Sequence, residues 1–127
     1  MKKKKILLVE DDMPTVDIYK TALEFSKFEV ETAGLGKEAI EKIEKAKSKK
    51  PDLIILDLIL PDMSGIEVLK KIRENKETKD TPVFMFTNYP NPEIGEKGYS
   101  FGLDEFILKT DYTPTEIVKL VKKKLKV

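Results

Sequence analysis

Five short strand-like runs recur along the chain, and a helical pattern follows each of them. The runs lie at 5–9, 28–33, 53–56, 83–86 and 105–108. Those at 5–9, 53–56 and 83–86 are almost wholly apolar, which is typical of strands buried on both faces of a parallel sheet; the run at 28–33 alternates, as a strand nearer an edge does. Because a helix follows each strand, the pattern predicts a parallel sheet with helices on both faces.

The helical segments are marked by an apolar face and by capping residues at their starts. They begin at Pro14, Lys37, Ser64 and Thr113, and a fifth lies between Tyr89 and Gly102. The segment from Lys37 is predicted to end at Lys47. Two starts have the spacing of a capping box, Ser64 with Glu67 and Thr113 with Glu116. The Pro and Gly residues between 89 and 102 lower helix propensity, so we predict a short, mobile helix there.

The length of the chain limits the choice of architecture. Its 127 residues are enough for one domain with its own core, and we predict a single domain over 1–127. The strand and helix pattern fits an α/β, flavodoxin-like (βα)5 fold, a doubly wound parallel sheet of strand order 2-1-3-4-5. In that order strands 1 and 3 are neighbours, and ligands bind at the carboxyl ends of the strands.

The residue types that are missing from the sequence exclude several kinds of functional site. The chain has no Cys and no His, which excludes disulfides, thiolate zinc sites, a cysteine nucleophile and the usual general base. The net charge is +1, so nucleic acid and membranes are not expected partners, and Lys122–Lys124 are most simply a solvated helix face. The apolar piece 6–9 is too short for a signal peptide or a membrane span, so we expect a cytoplasmic protein.

Polar side chains follow four of the five strands, where the sheet would bring them to one edge. They are Asp11 and Asp12 after the first strand, Asp57 after the third, Thr87 after the fourth and Lys109 after the fifth. Carboxylates close together repel one another unless a cation is present, and Mg²⁺, which binds carboxylate, water and phosphate oxygens, suits this set. With the ion in place, Asp57 is suited to attack a phosphoryl group and form an acyl phosphate.

Taken together, these residues make the chain resemble the receiver domain of the response-regulator family of two-component signalling, over its whole length. The residues that carry the resemblance are Glu10-Asp11-Asp12, Asp57 with Pro61 and Gly65, Thr87 and Lys109. Each is a weak signal alone, but their order and spacing match the family. The resemblance implies a phospho-accepting signalling protein rather than an enzyme, with catalysis limited to its own phosphorylation and slow dephosphorylation.

The resemblance also implies a role for each residue of the site. Asp57 would be the phosphoacceptor and, with Asp12, a direct ligand of Mg²⁺. Asp11 would act on the metal through water, and the backbone carbonyl of Ile59 would complete the protein ligands. Lys109 would pair with a phosphoryl oxygen.

A switch and a set of partners are implied by the same resemblance. Thr87 and Phe106 would form the switch pair, the hydroxyl moving toward the phosphoryl group and the ring turning inward behind it. The phosphoryl group would come from a sensor histidine kinase or a histidine phosphotransfer protein in a phosphorelay, and it would alter contacts with a downstream protein. A homodimer would use the fourth helix, the fifth strand and the fifth helix.

Three positions depart from the family pattern. Thr110 follows Lys109 where the family usually has a proline after a cis peptide, and a non-proline cis bond costs about 2.5–4 kcal/mol. Asn88 follows Thr87 where a small residue is usual, so we expect it to narrow access to the acyl phosphate. The segment 89–102 weakens the helix that the family uses to present its output face.

Two other functions fit part of the pattern. A Mg²⁺-dependent phosphohydrolase with an Asp nucleophile generally has a second Asp two positions later as general acid, and here Ile59 occupies that position. A receiver-like interaction module could signal without phosphorylation, although the complete set of acidic, Thr and Lys residues favours phosphorylation. Binding of a dinucleotide or a flavin is disfavoured because no Gly-rich phosphate-binding loop follows the first strand.

Overall fold

All five predicted strands form in the computed structural model, which describes residues 3–46, 49–89 and 91–127. The strands are β1 (Lys5–Val9), β2 (Glu29–Ala33), β3 (Leu53–Asp57), β4 (Val83–Thr87) and β5 (Glu105–Leu108). They build one parallel sheet in the order β2-β1-β3-β4-β5, which confirms the predicted flavodoxin-like α/β fold. Val9 of β1 pairs with Leu56 of β3, so the carboxyl ends of these two strands lie side by side.

Helices cover both faces of this sheet. They are α1 (Met13–Phe25), α2 (Gly36–Ala46), α3 (Gly65–Glu74), α4 (Pro92–Ser100) and α5 (Pro114–Leu125), with one turn of 3-10 helix at Lys109–Asp111. One buried apolar cluster joins α1 and α5 to the sheet, and a second joins α2, α3 and part of α4 to its other face. None of the helices in the described ranges has the length and apolar character that crossing a bilayer requires.

The centre of the sheet is its most buried part. Side chains of 6–9, 53–56 and 83–86 are at most 2% exposed, whereas Ala33 is the one buried residue of β2. Burying a large aliphatic or aromatic side chain contributes about 1.5–3 kcal/mol, so these three runs hold the core together. Asp57 is the sole buried charged residue in the described strands, and it lies at the end of β3 where the strand leaves the core.

The two predicted capping boxes have different outcomes. At α5 both bonds form: the Glu116 N–H donates to the Thr113 hydroxyl, and the Thr113 N–H donates to the Glu116 carboxylate. At α3 the Ser64 hydroxyl accepts from the Ile66 N–H at 3.1 Å, and the Glu67 N–H donates to the Ser64 carbonyl at 3.0 Å. The capping box is therefore confirmed at α5, whereas at α3 Ser64 is the predicted N-cap but bonds to Ile66, and the Glu67 N–H bonds to the Ser64 carbonyl instead of the Ser64 hydroxyl.

The segment rich in Pro and Gly forms a short helix, as predicted. It is α4, nine residues long, and two of its glycines are buried. A Cβ added to Gly95 would lie 3.3 Å from the Phe106 ring, and one added to Gly98 would lie 2.8 Å from the Leu103 side chain. These glycines therefore lower helix propensity and in return allow α4 to pack closely. The mobility of α4 stays a prediction, and Lys47, the predicted end of the second helix, lies outside the described residues.

Candidate functional site

Three carboxylates meet at the carboxyl edge of the sheet, where β1 and β3 lie side by side. Glu10 and Asp11 directly follow β1, and Asp57 ends β3. One oxygen from each of these side chains lies within 4.8 Å of the other two, with Glu10 and Asp57 buried and Asp11 exposed. Oxygen ligands at this spacing fit a hard divalent cation such as Mg²⁺.

Lys109 supplies a positive charge to this cluster from the end of β5. Its Nζ lies 2.6 Å from Glu10 Oε1 and 3.5 Å from Asp57 Oδ2. Its side chain is only 12% exposed, so the ammonium is screened from bulk water. The structure thus brings Asp57 and Lys109 together although they are far apart in the sequence.

Burial and charge shift the pKa values of Glu10 and Lys109. Burial raises the pKa of Glu10, and the neighbouring Asp57 raises it further, whereas Lys109 lowers it. Burial disfavours the charged form of Lys109, but the hydrogen bond to Glu10 and the charge of Asp57 outweigh burial and raise the pKa of Lys109. The lysine is therefore charged at neutral pH, and it can offset the charge of an anion that enters the site.

Asp12 lies outside the cluster because its carboxylate caps α1. It accepts hydrogen bonds from the hydroxyl and the backbone N–H of Thr15, which lower the Asp12 pKa. The acidic pair that meets Asp57 is Glu10 and Asp11, one residue earlier than the predicted pair. The structure thus places Asp11 rather than Asp12 beside Asp57, and the assignment of Asp12 as the direct ligand stays a prediction. Sequence reasoning assigned Glu10 no role, although its place as the first residue after β1 was the available signal.

The loop between β3 and α3 folds back tightly on the end of β3. The Gly65 N–H donates to the Leu58 carbonyl at 2.7 Å, and a Cβ on Gly65 would lie 2.3 Å from the Asp57 carbonyl oxygen. Only glycine fits this close approach of two backbones. The Ile59 N–H donates to Asp57 Oδ1 at 3.4 Å, so Ile59 stays beside the carboxylate while its side chain is 58% exposed.

The two predicted switch residues are held by different neighbours. The Thr87 hydroxyl accepts from the Tyr89 N–H at 3.1 Å and donates to the Tyr89 carbonyl at 3.2 Å, so it is engaged with the loop that follows β4. Phe106 is half-buried, its ring lies against Gly95 of α4, and its backbone N–H donates to the Tyr99 hydroxyl at 3.1 Å. Both residues therefore connect to the region around α4.

The positions that depart from the family pattern lie at or near this site. The Lys109–Thr110 peptide is trans, as are the other peptide bonds of the described ranges. This trans bond lies within the 3-10 turn Lys109–Asp111, and Lys109 still reaches Asp57. Asn88 is exposed and lines the cleft.

The site as a whole is an open cleft of about 480 Å³. It contains the buried carboxylate of Asp57, the carboxylate oxygens of Glu10 and Asp11, and the ammonium group of Lys109. Since a water molecule takes about 30 Å³ in the liquid, the cleft has room for a phosphoryl group and a hydrated ion. The fold and the cleft together define a class: doubly wound α/β domains whose acidic cleft, at the carboxyl edge of the sheet, suits phosphoryl chemistry.

Comparison with known proteins identifies the family within this class. The model of the response regulator receiver domain matches residues 6–122, and the chain belongs to that family. It is 38% identical over 119 residues to the alkaline phosphatase synthesis transcriptional regulatory protein PhoP of Bacillus subtilis, covering 94% of this chain and 47% of PhoP. The chain thus spans about half the length of the curated relatives it matches.

Solved structures of similar length agree with this assignment. A CheY-like response regulator receiver domain protein from Methanospirillum hungatei superposes with a TM-score of 0.89 at 33% identity, covering 98% of this chain and 95% of that protein. The phosphorylated cyanobacterial phytochrome response regulator RcpA superposes with a TM-score of 0.83 at 30% identity, covering 96% and 93%. The similarity extends over nearly the whole of each of these chains.

Proposed function

We propose that this protein is a phospho-accepting receiver that takes a phosphoryl group onto Asp57 with Mg²⁺ and then changes its contacts with other proteins. The observation that carries the proposal is the meeting of Asp57 with Glu10, Asp11 and Lys109 in one open cleft. The phosphorylated state of RcpA, a similar response regulator, supports the same chemistry for this chain.

The acidic residues of the cleft would hold the metal ion. Asp11 and Asp57 would supply carboxylate oxygens, and Ile59 would supply its backbone carbonyl. Glu10, which is hydrogen-bonded to Lys109, would add negative charge beside the ion. When bound, Mg²⁺ offsets the charge of an approaching phosphoryl group.

The transfer would be made by groups of the chain itself. An Asp57 oxygen attacks the phosphorus of a phosphohistidine, and a P–O bond forms while the P–N bond breaks. The leaving imidazole keeps the electron pair of that bond and is protonated from solvent. Lys109, 3.5 Å from Asp57, pairs with one phosphoryl oxygen. The Thr87 hydroxyl donates to another oxygen once it leaves Tyr89.

The phosphoryl donor in this proposal is a sensor histidine kinase or a histidine phosphotransfer protein, in the cytoplasm. The output would pass through Thr87 and Phe106, because both contact the region around α4. A downstream protein, or a second copy of this chain, would bind the face formed by α4, β5 and α5. The proposal gives this domain no contact with nucleic acid or membrane.

A small-molecule phosphodonor tests the proposal without the cognate kinase. The purified chain is incubated with acetyl phosphate and Mg²⁺, and its intact mass is measured. We expect one phosphoryl adduct on the wild type, none on Asp57→Ala and none when EDTA removes the ion. Asp52→Ala is the matched control, because Asp52 lies just before β3 at the opposite edge of the sheet and accepts the Lys5 N–H there.

The three functions considered for this site give different results in this experiment. Phosphate released with repeated turnover and no adduct would support a phosphohydrolase. No adduct and no turnover would support a module that signals without phosphorylation. A stable adduct that persists in Asp57→Ala would place the phosphoryl group on another residue and contradict the proposed site.

A further inference from the structure

The start of α2 is capped from a distant part of the chain. Leu35 precedes the helix, and a leucine side chain accepts no hydrogen bond, so the usual local cap is missing. The Asp62 carboxylate replaces it: Oδ1 accepts from the Gly36 N–H at 2.8 Å, and Oδ2 accepts from the Lys37 N–H at 2.9 Å. Both oxygens of one side chain in the loop between β3 and α3 therefore hold the first turn of α2.

A second contact joins the same two segments. A Cβ added to Gly36 would lie 2.4 Å from Met63 Cγ and 2.7 Å from Met63 Sδ, so the methionine side chain lies directly over the glycine. Asp62 and Met63, which are adjacent in the sequence, therefore both contact the first residue of α2. Residues 62 and 63 form the tip of the loop. The two hydrogen bonds of Asp62 orient this tip, and the contact of Met63 with Gly36 sets the distance between the tip and α2.

The two legs of this loop, residues 58–60 and 63–65, are hydrogen-bonded to each other next to the cleft. The Leu60 N–H donates to the Met63 carbonyl at 3.3 Å, the Gly65 N–H donates to the Leu58 carbonyl at 2.7 Å, and Ile59 pairs with Ser64 in an isolated antiparallel bridge. The tip at residues 62 and 63 is therefore connected by backbone hydrogen bonds to the leg that carries Ile59. That leg also contacts Asp57 through the Ile59 N–H.

We propose that Asp62 is a positioning residue: by holding the tip of loop 58–65 on α2, it places the Ile59 carbonyl and couples Mg²⁺ binding to the order of the first turn of α2. This inference rests on the proposed function, because it assumes that Mg²⁺ binds at Asp11, Asp57 and Ile59. Coupling between two sites is reciprocal, so an α2 contact that favours the metal-binding loop must itself be strengthened when metal binds.

Two measurements test the coupling without any phosphodonor. Calorimetric titration gives the Mg²⁺ affinity, and amide hydrogen exchange of the first turn of α2, with and without Mg²⁺, gives the response of the helix. Asp62→Ala removes both acceptors, and Asp62→Asn keeps one of them. The matched control is Asp52→Ala, which also removes a carboxylate that accepts a backbone N–H, at 2.8 Å from Lys5, but at the amino edge of the sheet.

We expect Asp62→Ala to weaken Mg²⁺ binding about fivefold or more, the low end of coupling between sites, and Asp62→Asn to weaken it less. The Asp52→Ala affinity should equal that of the wild type. Mg²⁺ should slow exchange in the first turn of α2 in the wild type and leave it unchanged in Asp62→Ala. If Asp62→Ala does not fold, the same comparison is made with Asp62→Asn.

Three results would overturn the inference. The first is equal Mg²⁺ affinity in the wild type and Asp62→Ala, with α2 exchange insensitive to Mg²⁺. The second is an equal loss of affinity in Asp52→Ala, which would indicate general destabilisation. The third is a wild type that binds no Mg²⁺. A wild type that binds Mg²⁺ but forms no adduct with acetyl phosphate would contradict the proposed function and leave the coupling intact.

Discussion

Acidic residues that are neighbours in the sequence contact different parts of the fold after β1. Glu10 and Asp11 contribute to the carboxylate cluster, whereas Asp12 is the last residue before α1 and caps it. Aspartate is among the best residues at that capping position, because its oxygen accepts an N–H of the first helical turn. Which of these three acids joins the cluster and which caps α1 thus depends on its position relative to the start of the helix, and not on its residue type.

Magnesium binding should depend on Asp11 and not on Asp12. Mg²⁺ at a hundred times its Kd should raise the free energy of unfolding of the wild type by about 2.7 kcal/mol. Asp11→Ala should lose most of this increment. Asp12→Ala should lose helix-cap stability but keep the increment, because Asp12 is outside the cluster. Urea unfolding with and without Mg²⁺ measures both effects, and an increment lost in Asp12→Ala but kept in Asp11→Ala would contradict the geometry.

The rim residue Asn88 should slow phosphoryl exchange. It is exposed and lines the cleft, and we expect its side chain to restrict the approach of a phosphodonor to Asp57. Asn88→Ala should gain the phosphoryl group from acetyl phosphate, and lose it again, faster than the wild type. Intact mass followed over time gives both rates. Identical rates in the two proteins would show that Asn88 does not limit access.

Among the elements, α3 is joined by Arg73 to the two segments that lead into β4 and β5, at the amino edge of the sheet. Its guanidinium donates to the Thr81 carbonyl at 2.8 Å and to the Gly102 carbonyl at 2.7 Å. It also lies 3.4 Å from Asp104, whose carboxylate accepts the Val83 N–H at 2.8 Å. One side chain thus links the end of α3 to the starts of β4 and β5.

Replacing this arginine should destabilise the fold without changing the chemistry of the cleft. Hydrogen bonds from a charged group contribute about 1.5–3 kcal/mol each, and without Arg73 the part-buried Thr81 carbonyl loses this donor, whereas the exposed Gly102 carbonyl can bond to water. We expect Arg73→Met to lower the free energy of unfolding by about 2–3 kcal/mol, measured in urea. The fraction of folded protein that forms the acetyl phosphate adduct should not change. A loss below about 0.5 kcal/mol would mean that these bonds contribute little.

The contact between Asp62 and α2 should weaken in acid. The Lys37 N–H, and with it the Gly36 N–H, lowers the pKa of the Asp62 carboxyl. A lowered pKa in the folded state stabilises the fold above the unfolded pKa, and the contribution is lost as the pH falls through the folded value. Wild-type stability should therefore drop more steeply below the ordinary aspartate pKa of about 3.9 than that of Asp62→Asn. Parallel curves of unfolding free energy against pH would contradict this.

For the whole molecule, the fold was predictable from the hydrophobic pattern because the apolar runs in the sequence are the segments that folding buries. Runs 6–9, 53–56 and 83–86 have no polar side chain to place in water, so they form the centre of the sheet. Parallel connection then brings Asp57 and Lys109 to one edge whatever the details of the loops. The convergence of these site residues was predictable for that reason.

Features that depend on contacts between distant segments were not predictable. The capping of α2 by Asp62 needs the loop after β3 to lie against the helix. The hydrophobic periodicity of the sequence gives no information on the distance between that loop and α2. The engagement of the Thr87 hydroxyl with Tyr89 depends on one turn of backbone after β4. The separation of Asp12 from the carboxylate cluster has a local reason, because Asp12 is the N-cap of α1.

Peptide mapping of the adduct formed with acetyl phosphate and Mg²⁺ tests directly whether Asp57 carries the phosphoryl group, because it assigns the added mass to one segment of the chain. We expect the phosphoryl group on the peptide that contains β3, at Asp57. A phosphoryl group found instead on the peptide that contains Glu10 and Asp11, or on a peptide outside the cleft, would contradict it.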